Sequence, residues 1–244
     1  MAKSHAAPVC FEKFGSESLV VEAVHGIGSV ELSDGTIVHP VGFYVPTHAD
    51  EGLADQLGKR MADVLAGKSV QIFHVSDKQD RHGRLPAYIA LAGGRSLAAE
   101  MVSEGTALLA PVRNLPCLQT LQFAERLAGR KRLGIWRKRA VLGAGDEKLV
   151  GAIGHYATVQ GRVRSVGVRE KRHYLNFGAN WREDFTVELA PRTTRRLFGG
   201  AQNLQKLENQ WVTVRGRLRN KGGPMIVLEQ KGQIDFAKDI QDQG

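Results

Sequence analysis

The stretch "VHGIGSVELSDGTIVHPVGFYVPT", from Val24 to Thr47, decides how the front of the chain is interpreted. Alternating apolar residues flank the dipeptide Asp34-Gly35, which is typical of a tight turn between two antiparallel strands. The stretch therefore predicts a β-hairpin with a turn that uses positive φ angles. Pro40 has no N–H to donate, so we expect it to bulge the returning strand or to end its pairing beside His39.

Composition indicates a globular protein with an anionic partner. The 244 residues are 42% hydrophobic, and no apolar run approaches the length of a membrane span. The amino terminus "MAKSHAAPVC" lacks the apolar core of a secretory signal, so the chain as written is expected to be cytoplasmic. The formal charge of +9 and the pI near 9.8 favour a polyanionic ligand, with nucleic acid first.

The two cysteines, Cys10 and Cys117, have no companion at the spacing of a zinc site. Two interpretations remain open. Both are free thiols, or they form one disulfide in an oxidising compartment. The second requires a periplasmic or secreted protein whose signal was removed or not recorded, and "HAAPVC" resembles what remains of a cleavage region.

The basic charge is concentrated in the back of the chain. The first 150 residues carry 18 basic and 16 acidic side chains, whereas the last 94 carry 16 and 9. A Gly-rich stretch without periodicity separates the two parts and is interpreted as a linker. The predicted organisation is an N-terminal segment at residues 1–17, a first domain at 18–140, a linker at 141–153, a second domain at 154–237 and a tail at 238–244.

The first domain combines short strands with amphipathic helices. Apolar residues spaced by four predict a helix over 51–67 that ends at Gly67, and two more helices are predicted around 96–105 and 118–136. The apolar residues Leu118, Leu121, Phe123 and Leu127 of the last helix are expected on or near one face. Strands are predicted from "KSVQIFHVSD" and "LPAYIALAG". These elements predict a small five-stranded barrel with helices packed at its side.

Several landmarks in this domain resemble the staphylococcal nuclease (thermonuclease) family. They are "SDGTIVHPVGFYVP", "DRHGRLPAYI", "LAAEMVSEGTALL" and "AERLAGRKRLGIW", in the family's order over about residues 20–137. "DRHGR" followed by "AYI", and the closing "GIW", are the specific parts. The resemblance implies an OB-type barrel with helices and an enzyme that hydrolyses DNA and RNA phosphodiesters with calcium.

The same resemblance indicates that the acidic residues of the family's site are missing. With the Asp34-Gly35 turn as anchor, the family's Asp-Gly-Asp-Thr falls on Gly26, Ile27, Gly28 and Ser29. The family's first Arg falls on His39, its later metal-binding Asp on Tyr44, its Pro on Pro46 and its Glu on Thr47. The retained position is Arg84. Since calcium prefers several carboxylate oxygens, no metal cofactor is expected unless the site is active.

Each remaining polar residue also has a structural interpretation. Arg84 lies at a catalytic position of the family, yet it can simply pair with Asp80 at the barrel surface. His39, His74 and His82 are interpreted as scattered surface histidines rather than a metal cluster. Displaced acids are available in Asp50, Glu51, Asp77 and Asp80, although Asp50 is well placed to cap the helix that follows it.

The second domain is rich in strands. Three strands, a helical stretch "NLQKLENQ" and then further strands predict a second OB-type barrel, so the fold class is β-rich α+β with two five-stranded barrels in tandem. It also resembles the tail domain of some degenerate thermonuclease-like chains, through "YLNFG" and "DFTV".

Period-two alternation predicts an exposed cationic surface on two neighbouring strands. No acidic residue is expected within it. Tyr174, Phe177 and Trp181 are candidate stacking platforms for bases, with a core position as the alternative, which is favoured for Phe177. The predicted binding residues are Arg162, Arg164, Arg215, Arg217 and Arg219, together with Tyr174 and Trp181.

The sequence therefore favours an inactive thermonuclease-like protein that binds nucleic acid or another anionic polymer. An active calcium-dependent phosphodiesterase with a rearranged site is the first alternative, in which Arg84 and His39 are the candidate catalytic residues. A periplasmic structural or interaction protein is the second alternative. The sequence makes no prediction of oligomeric state.

Overall fold

The computed structural model shows a β-rich α+β protein made of two compact units with their boundary after Lys138. Among the described residues, no helix has both the length and the apolar character needed to cross a membrane. The structure describes residues 18–46, 52–110, 118–138, 140–180 and 183–236. Cys10, Thr47, Asp50, Glu51, Cys117 and Trp181 lie outside these ranges, as do the predicted N-terminal segment and tail.

Short strands form the framework of the first unit. Its eight strands are β1 (Leu19–His25), β2 (Ser29–Leu32), β3 (Ile37–Pro40), β4 (Phe43–Tyr44), β5 (Ser69–His74), β6 (Leu85–Leu91), β7 (Arg95–Ser96) and β8 (Leu108–Leu109).

The predicted hairpin is present as β2 and β3, but its turn differs from the one expected. The Gly35 N–H donates to the Leu32 carbonyl at 2.8 Å, and Gly35 has φ +80°. Asp34 is not among the residues with positive φ. The connection is therefore a type I turn followed by a left-handed glycine that forms a bulge, because only one of the two residues adopts a positive φ.

Five strands of the first unit pair in a closed cycle. β1 pairs with β2, β2 with β3, β5 with β6 and β1 with β5, all antiparallel, and β3 pairs with β6 in parallel. This arrangement is OB-like, as predicted. Pro40 is the last residue of β3, and pairing with β2 does not extend beyond Val38. The missing N–H of proline fits its position at the end of the strand.

Three helices, α1 (Gly52–Leu65), α2 (Leu97–Ser103) and α3 (Leu118–Arg130), occur in the first unit, where the sequence predicted them. Leu53, Leu57, Met61 and Leu65 of α1 are buried, as their spacing indicated. The face of α3 differs from the prediction. Phe123 is 52% exposed, and the buried positions are Leu121, Ala124, Glu125 and Ala128. The α-helical period places these residues on one side, whereas Phe123 is turned away from it.

The second unit begins with the stretch that the sequence predicted as a linker. That stretch carries β9 (Leu142–Gly143) and α4 (Lys148–Gly151). Leu142 pairs with Val159 in parallel, and both Leu142 and Leu149 are buried in the core of the second unit. The glycines had suggested an irregular connection, but two leucines anchor it.

The described residues of the second unit also form two further helices and eight further strands. The first of these helices, over residues 191–198, was not predicted from the sequence. The second begins at Ala201, two residues before the predicted helical stretch "NLQKLENQ". The elements are β10 (Tyr156–Arg162), β11 (Ser165–Val168), β12 (His173–Asn176), β13 (Thr186–Leu189), α5 (Pro191–Phe198), α6 (Ala201–Gln205), β14 (Trp211–Arg217), β15 (Arg219–Asn220), β16 (Pro224–Leu228) and β17 (Ile234–Phe236).

Strand pairing in the second unit follows a regular order. β10 pairs with β14, β11 with β12, β12 with β13 and β15 with β16, all antiparallel, whereas β13 and β16 are parallel. β17 adds to the outer edge of β14. One residue, Leu218, separates β14 from β15, and Val163 and Arg164 separate β10 from β11. Leu218 and Val163 are fully buried in the core.

Candidate functional site

Three residues from different strands and turns of the first unit meet at one carbonyl group. The Arg84 Nη1 donates to the Gly28 carbonyl oxygen at 2.7 Å, and the His39 Nδ1 lies 2.9 Å from the same oxygen. Gly28 directly precedes β2, His39 is in β3, and Arg84 directly precedes β6. The fold thus brings together Arg84 with the positions that the family resemblance assigned to an Asp and an Arg.

Asp80 holds the Arg84 side chain in place. Its Oδ2 accepts from the Arg84 Nε at 2.9 Å and from Nη2 at 2.7 Å, and its Oδ1 accepts from the backbone N–H groups of His82 and Arg84. The hydrogen bonds from the Arg84 guanidinium, and to a smaller extent those from the two backbone N–H groups, lower the pKa of the Asp80 carboxyl group well below its usual range. The ion pair between Arg84 and Asp80, which the sequence suggested as a structural role for Arg84, is therefore present.

Arg84 also fills the space in which a carboxylate at position 28 would begin. A Cβ added to Gly28 would lie 2.7 Å from the Arg84 Nη1, closer than such atoms approach in proteins. An acidic side chain at this position requires the guanidinium to move. The arrangement presents a cation and a main-chain carbonyl where the family resemblance implies a calcium ligand.

None of the other family positions that the structure describes supplies a replacement cation site. Gly26 has φ +60° and begins the turn before β2, Ser29 is in β2, and Tyr44 is in β4. Within the ranges that the structure describes, no group of three or more His, Cys, Asp or Glu side chains is arranged to hold a metal ion. The residues described at this site do not fit calcium, because a hard divalent cation needs several oxygen ligands.

The remaining histidines have separate environments. The Arg81 Nε donates to the His82 Nε2 at 3.0 Å at the exposed turn before β6. His74 is exposed at the end of β5. These environments match the interpretation of His74 and His82 as surface residues.

Asp34, in the turn between β2 and β3, has a lowered pKa, mainly because its carboxylate accepts a hydrogen bond from the backbone N–H of Thr36.

The predicted cationic surface of the second unit is only partly exposed. Arg162, Arg164, Arg217 and Arg219 are exposed. Arg215 is 2% exposed and is among the largest fully buried side chains, so its predicted exposure was wrong. Alternation had placed Arg215 away from the barrel core, which is correct. That side of the strand pair is nevertheless covered, because its neighbours Thr158 and Thr213 are also buried.

An acidic residue also lies beside this surface, contrary to the expectation from the sequence. Asp235 of β17 pairs directly with Thr213 of β14, so the two side chains lie on the same face. The strand β17 was predicted, but its neighbour was not. A local sequence pattern does not determine the register between distant strands, so the position of Asp235 opposite Thr213 could not be predicted.

The three candidate aromatic platforms have different positions. Phe177 packs on the core, with its ring centroid 5.0 Å from that of Phe185, which supports its core interpretation. Tyr174 is half-buried on the outer face of β12. Trp181 lies outside the described residues.

A pocket of about 510 Å³ opens beside Tyr174 on the second unit. Its floor is the outer face of β12, β13 and β16, and its rim includes the connection after β11 and the connection between β15 and β16. The lining residues are Gly167, Arg169, Tyr174, Asn176, Asp184, Thr186, Glu188, Lys221, Gly222, Gly223, Pro224 and Met225.

Glu188 connects the two sides of this rim. Its side chain is 7% exposed, and its two oxygens accept from the Arg172 Nε and from the Lys221 Nζ, each at 2.9 Å. The two cationic side chains are about half and two-thirds exposed. The buried carboxylate therefore fixes two cations from separate hairpin connections beside one cavity.

Sequence reasoning found Tyr174 and Arg219 but missed the charged residues around the pocket. Glu188 stands in "TVEL" between apolar neighbours, where an acidic residue in a strand is a signal of an outward or paired position. Lys221 precedes Gly222-Gly223, which marks a hairpin connection. Neither signal identifies the partner, because Arg172, Glu188 and Lys221 are far apart in the chain.

Part of the first unit is similar to a known protein family. Residues 50–138 match the family model described as "Staphylococcal nuclease homologue". These residues are therefore staphylococcal nuclease-like, which confirms the resemblance for that part of the first unit. The match begins after the hairpin that carries Gly28 and His39, and it includes Arg84. No curated protein matches the chain.

Proposed function

We propose that the protein is a nuclease-like protein that does not hydrolyse phosphodiesters and that binds nucleic acid or another anionic polymer through its second unit. The observation that carries the first half is the contact between Arg84 and the Gly28 carbonyl. A guanidinium that would meet a phosphate is directed to the main chain and to Asp80 instead.

The chemistry of hydrolysis explains why this contact matters. A phosphodiester is a poor electrophile, so catalysis needs a metal or other cations aimed at developing negative charge, and a group that orients the attacking water. At this site Gly28 has no side chain, and Arg84 donates three hydrogen bonds to two protein oxygens, Asp80 Oδ2 and the Gly28 carbonyl. No metal cofactor is proposed, since the donor set is poor in carboxylates.

The strand order supports two OB-type barrels in tandem. In the second unit, β10 with β11 and β14 with β15 each follow one another with a gap of one or two residues. If each pair is counted as one bent strand, the pairings close a cycle of five, as they do in the first unit. Barrels of this type commonly bind oligonucleotides on an outer face.

The charge of the second unit supports a polyanionic ligand. The last 94 residues hold an excess of basic side chains, and Arg162, Arg164, Arg217 and Arg219 are exposed. Exposed guanidinium groups bind phosphates with release of counterions, which makes such binding sensitive to salt. Nucleic acid is the polyanion that this chemistry fits best.

One experiment tests the catalytic half. The purified chain is incubated with single-stranded and duplex DNA in calcium, in manganese and in chelator, and products are separated on a denaturing gel. We expect no cleavage above that of a buffer control. Metal-dependent cleavage by the wild type above that control would overturn the proposal, and its loss in Arg84→Ala would assign the activity to this site.

The binding half is tested by fluorescence anisotropy with the same labelled DNA at several salt concentrations. We expect affinity to fall steeply as salt rises. Absence of binding at low salt would reject the binding half and leave the catalytic half unaffected.

A further inference from the structure

We infer that the pocket beside Tyr174 holds one unpaired nucleotide of a single-stranded nucleic acid, with the base against the Tyr174 ring and the backbone phosphate at the Arg169 and Lys221 side of the rim. This inference rests on the proposed binding of nucleic acid and names the form of nucleic acid and the site. Of its residues, Arg219 also belongs to the proposed cationic surface, and Tyr174 is one of the candidate stacking platforms.

The pocket has the dimensions of a site for a small group. Its volume of about 510 Å³ lies within the usual range for small-molecule sites, so it admits a nucleoside and excludes a duplex. Bases inside a duplex are stacked on one another and present only their edges. A base that enters this pocket must therefore be unpaired.

Tyr174 and Gly167 together provide a surface for stacking. The two residues pair directly across β11 and β12, and a Cβ at Gly167 would lie 3.6 Å from the Tyr174 Cβ and Cδ2. A larger side chain at position 167 would cover the ring. Glycine leaves it accessible from the pocket, and stacking on an aromatic ring is tolerant of base identity.

Polar groups on the pocket floor are suited to base edges. Asn176 and Thr186 form a cross-strand pair next to Tyr174, and the Asn176 Nδ2 donates to the Ser165 Oγ at 3.1 Å. That hydrogen bond orients the amide. Met225 continues the same row through its pairing with Thr186, and it adds a flexible apolar contact.

The charges around the pocket favour a phosphate at its rim. Arg169 and Lys221 line the pocket, Arg172 contacts Glu188, and Arg219 pairs with Met225 and so shares the outer face. The lining itself holds two cations and two carboxylates, and Glu170 lies in the same connection as Arg169 and Arg172, but both lining carboxylates already have partners in the protein. Glu188 already accepts from Arg172 and Lys221, and the other, Asp184, accepts from the Asn180 backbone N–H at 2.6 Å.

Glu188 acts as a positioning residue in this arrangement. It is not aimed at the ligand but holds the connection after β11 and the connection before β16 at a fixed separation through Arg172 and Lys221. A rim that is fixed before binding loses less conformational entropy when the strand enters.

The experiment measures binding of fluorescein-labelled oligothymidylate of about 12 nucleotides by the full chain, beside a duplex of equal length and an oligouridylate. Wild type should bind both single strands more tightly than the duplex. Tyr174→Ala should weaken single-strand binding by at least about fivefold, because one base–aromatic stack is lost. Tyr174→Phe should bind as wild type does, since the ring remains.

Two further variants keep the test decisive. Gly167→Val fills the space over the Tyr174 ring without a change of charge, suits a strand, and should weaken single-strand binding as Tyr174→Ala does. Phe123→Ala, which removes an exposed aromatic ring from α3 of the first unit, should leave binding unchanged. Circular dichroism melts confirm that each variant is folded.

The outcomes separate the inference from the proposed function. Equal affinity for single strand and duplex, or wild-type affinity in both Tyr174→Ala and Gly167→Val, would overturn the pocket while polyanion binding stands. Displacement of the oligonucleotide by thymidine monophosphate at equal concentration would overturn a strand as the ligand and favour a free nucleotide. Failure of the wild type to bind any of the probes would reject the proposed binding itself.

Discussion

The Arg84 Nη1 lies 2.7 Å from the Gly28 carbonyl oxygen, and it would lie equally close to a Cβ on Gly28. The position that the family resemblance assigned to an acid thus has a glycine, and the retained cation occupies the space that the glycine leaves. A side chain at position 28 therefore requires the Arg84 guanidinium to move. An acidic residue introduced there would have to displace Arg84 before it could act as a metal ligand.

A double-mutant cycle tests this dependence. Gly28→Ala should lower the free energy of unfolding of the first unit by about 1 kcal/mol, because Nη1 must leave the Gly28 carbonyl while Nε and Nη2 keep Asp80. In an Arg84→Ala background the same change should cost close to nothing. Urea denaturation monitored by circular dichroism gives all four values. Equal costs in the two backgrounds would show that the close approach is unimportant.

The pH dependence of the first unit should reflect Asp80. Its pKa in the folded protein is lowered by Arg84, so its contribution to stability is complete above its pKa in the unfolded chain, near 4. That contribution decreases as the pH falls below this value toward the lowered pKa. Thermal melts should therefore show a gap between wild type and Asp80→Asn at pH 6 that narrows below about pH 4.

Asp34→Asn is a suitable comparison for Asp80→Asn. Its pKa is also lowered, but by a backbone N–H rather than by a cation, and it is exposed at the β2–β3 turn. We expect the gap between wild type and Asp34→Asn to be smaller at every pH. A gap for Asp80→Asn that widens as the pH falls would contradict the assignment of its lowered pKa to Arg84.

Close packing around Gly161 in β10 gives a third prediction. A Cβ at Gly161 would lie 2.5 Å from the Ala144 Cβ and 2.8 Å from the Phe177 ring, whereas one at Gly143 meets nothing within 4 Å. Gly161→Ala should cost about 1–3 kcal/mol of stability through overpacking. Gly143→Ala, in the adjacent strand, should stay within about 0.5 kcal/mol of wild type in the same urea titration. Similar values for both would contradict the packing.

The accuracy of the sequence predictions followed the range of the interactions. Local signals were sufficient for the β2–β3 hairpin, for α1 and for most strands, since alternation and helical spacing act within a few residues. The absence of carboxylates from the site was expected from the family resemblance, and it stays a prediction because the family match begins after the hairpin. The contact of Arg84 with Gly28 joins residues 56 positions apart, and no local pattern encodes it.

The errors have the same physical origin. Glycines around residues 142–154 indicated a linker, but Leu142 and Leu149 are buried in the second core. Alternation gave the side of β14 on which Arg215 lies, but it could not show that this side is covered. The pocket beside Tyr174 depends on Glu188 joining two hairpin connections, which requires the register of four strands.

The difference between Arg215 and Arg219 gives the last prediction. Arg215 is buried and Arg219 is exposed, although alternation placed both in one row. Arg215→Ala should lower the free energy of unfolding by about 2–5 kcal/mol, as truncation of a large buried side chain does, and should leave the salt dependence of DNA binding by the folded protein unchanged. Arg219→Ala should leave stability nearly unchanged and reduce the slope of log affinity against log salt concentration by about 1.

Arg196→Ala is the control for this slope. It removes the same charge from α5, where the guanidinium donates to the Glu229 carbonyl, and should not change the slope. Anisotropy titrations at four salt concentrations, with urea denaturation of each variant, measure both quantities. A reduced slope in Arg215→Ala with full stability would return Arg215 to the binding surface.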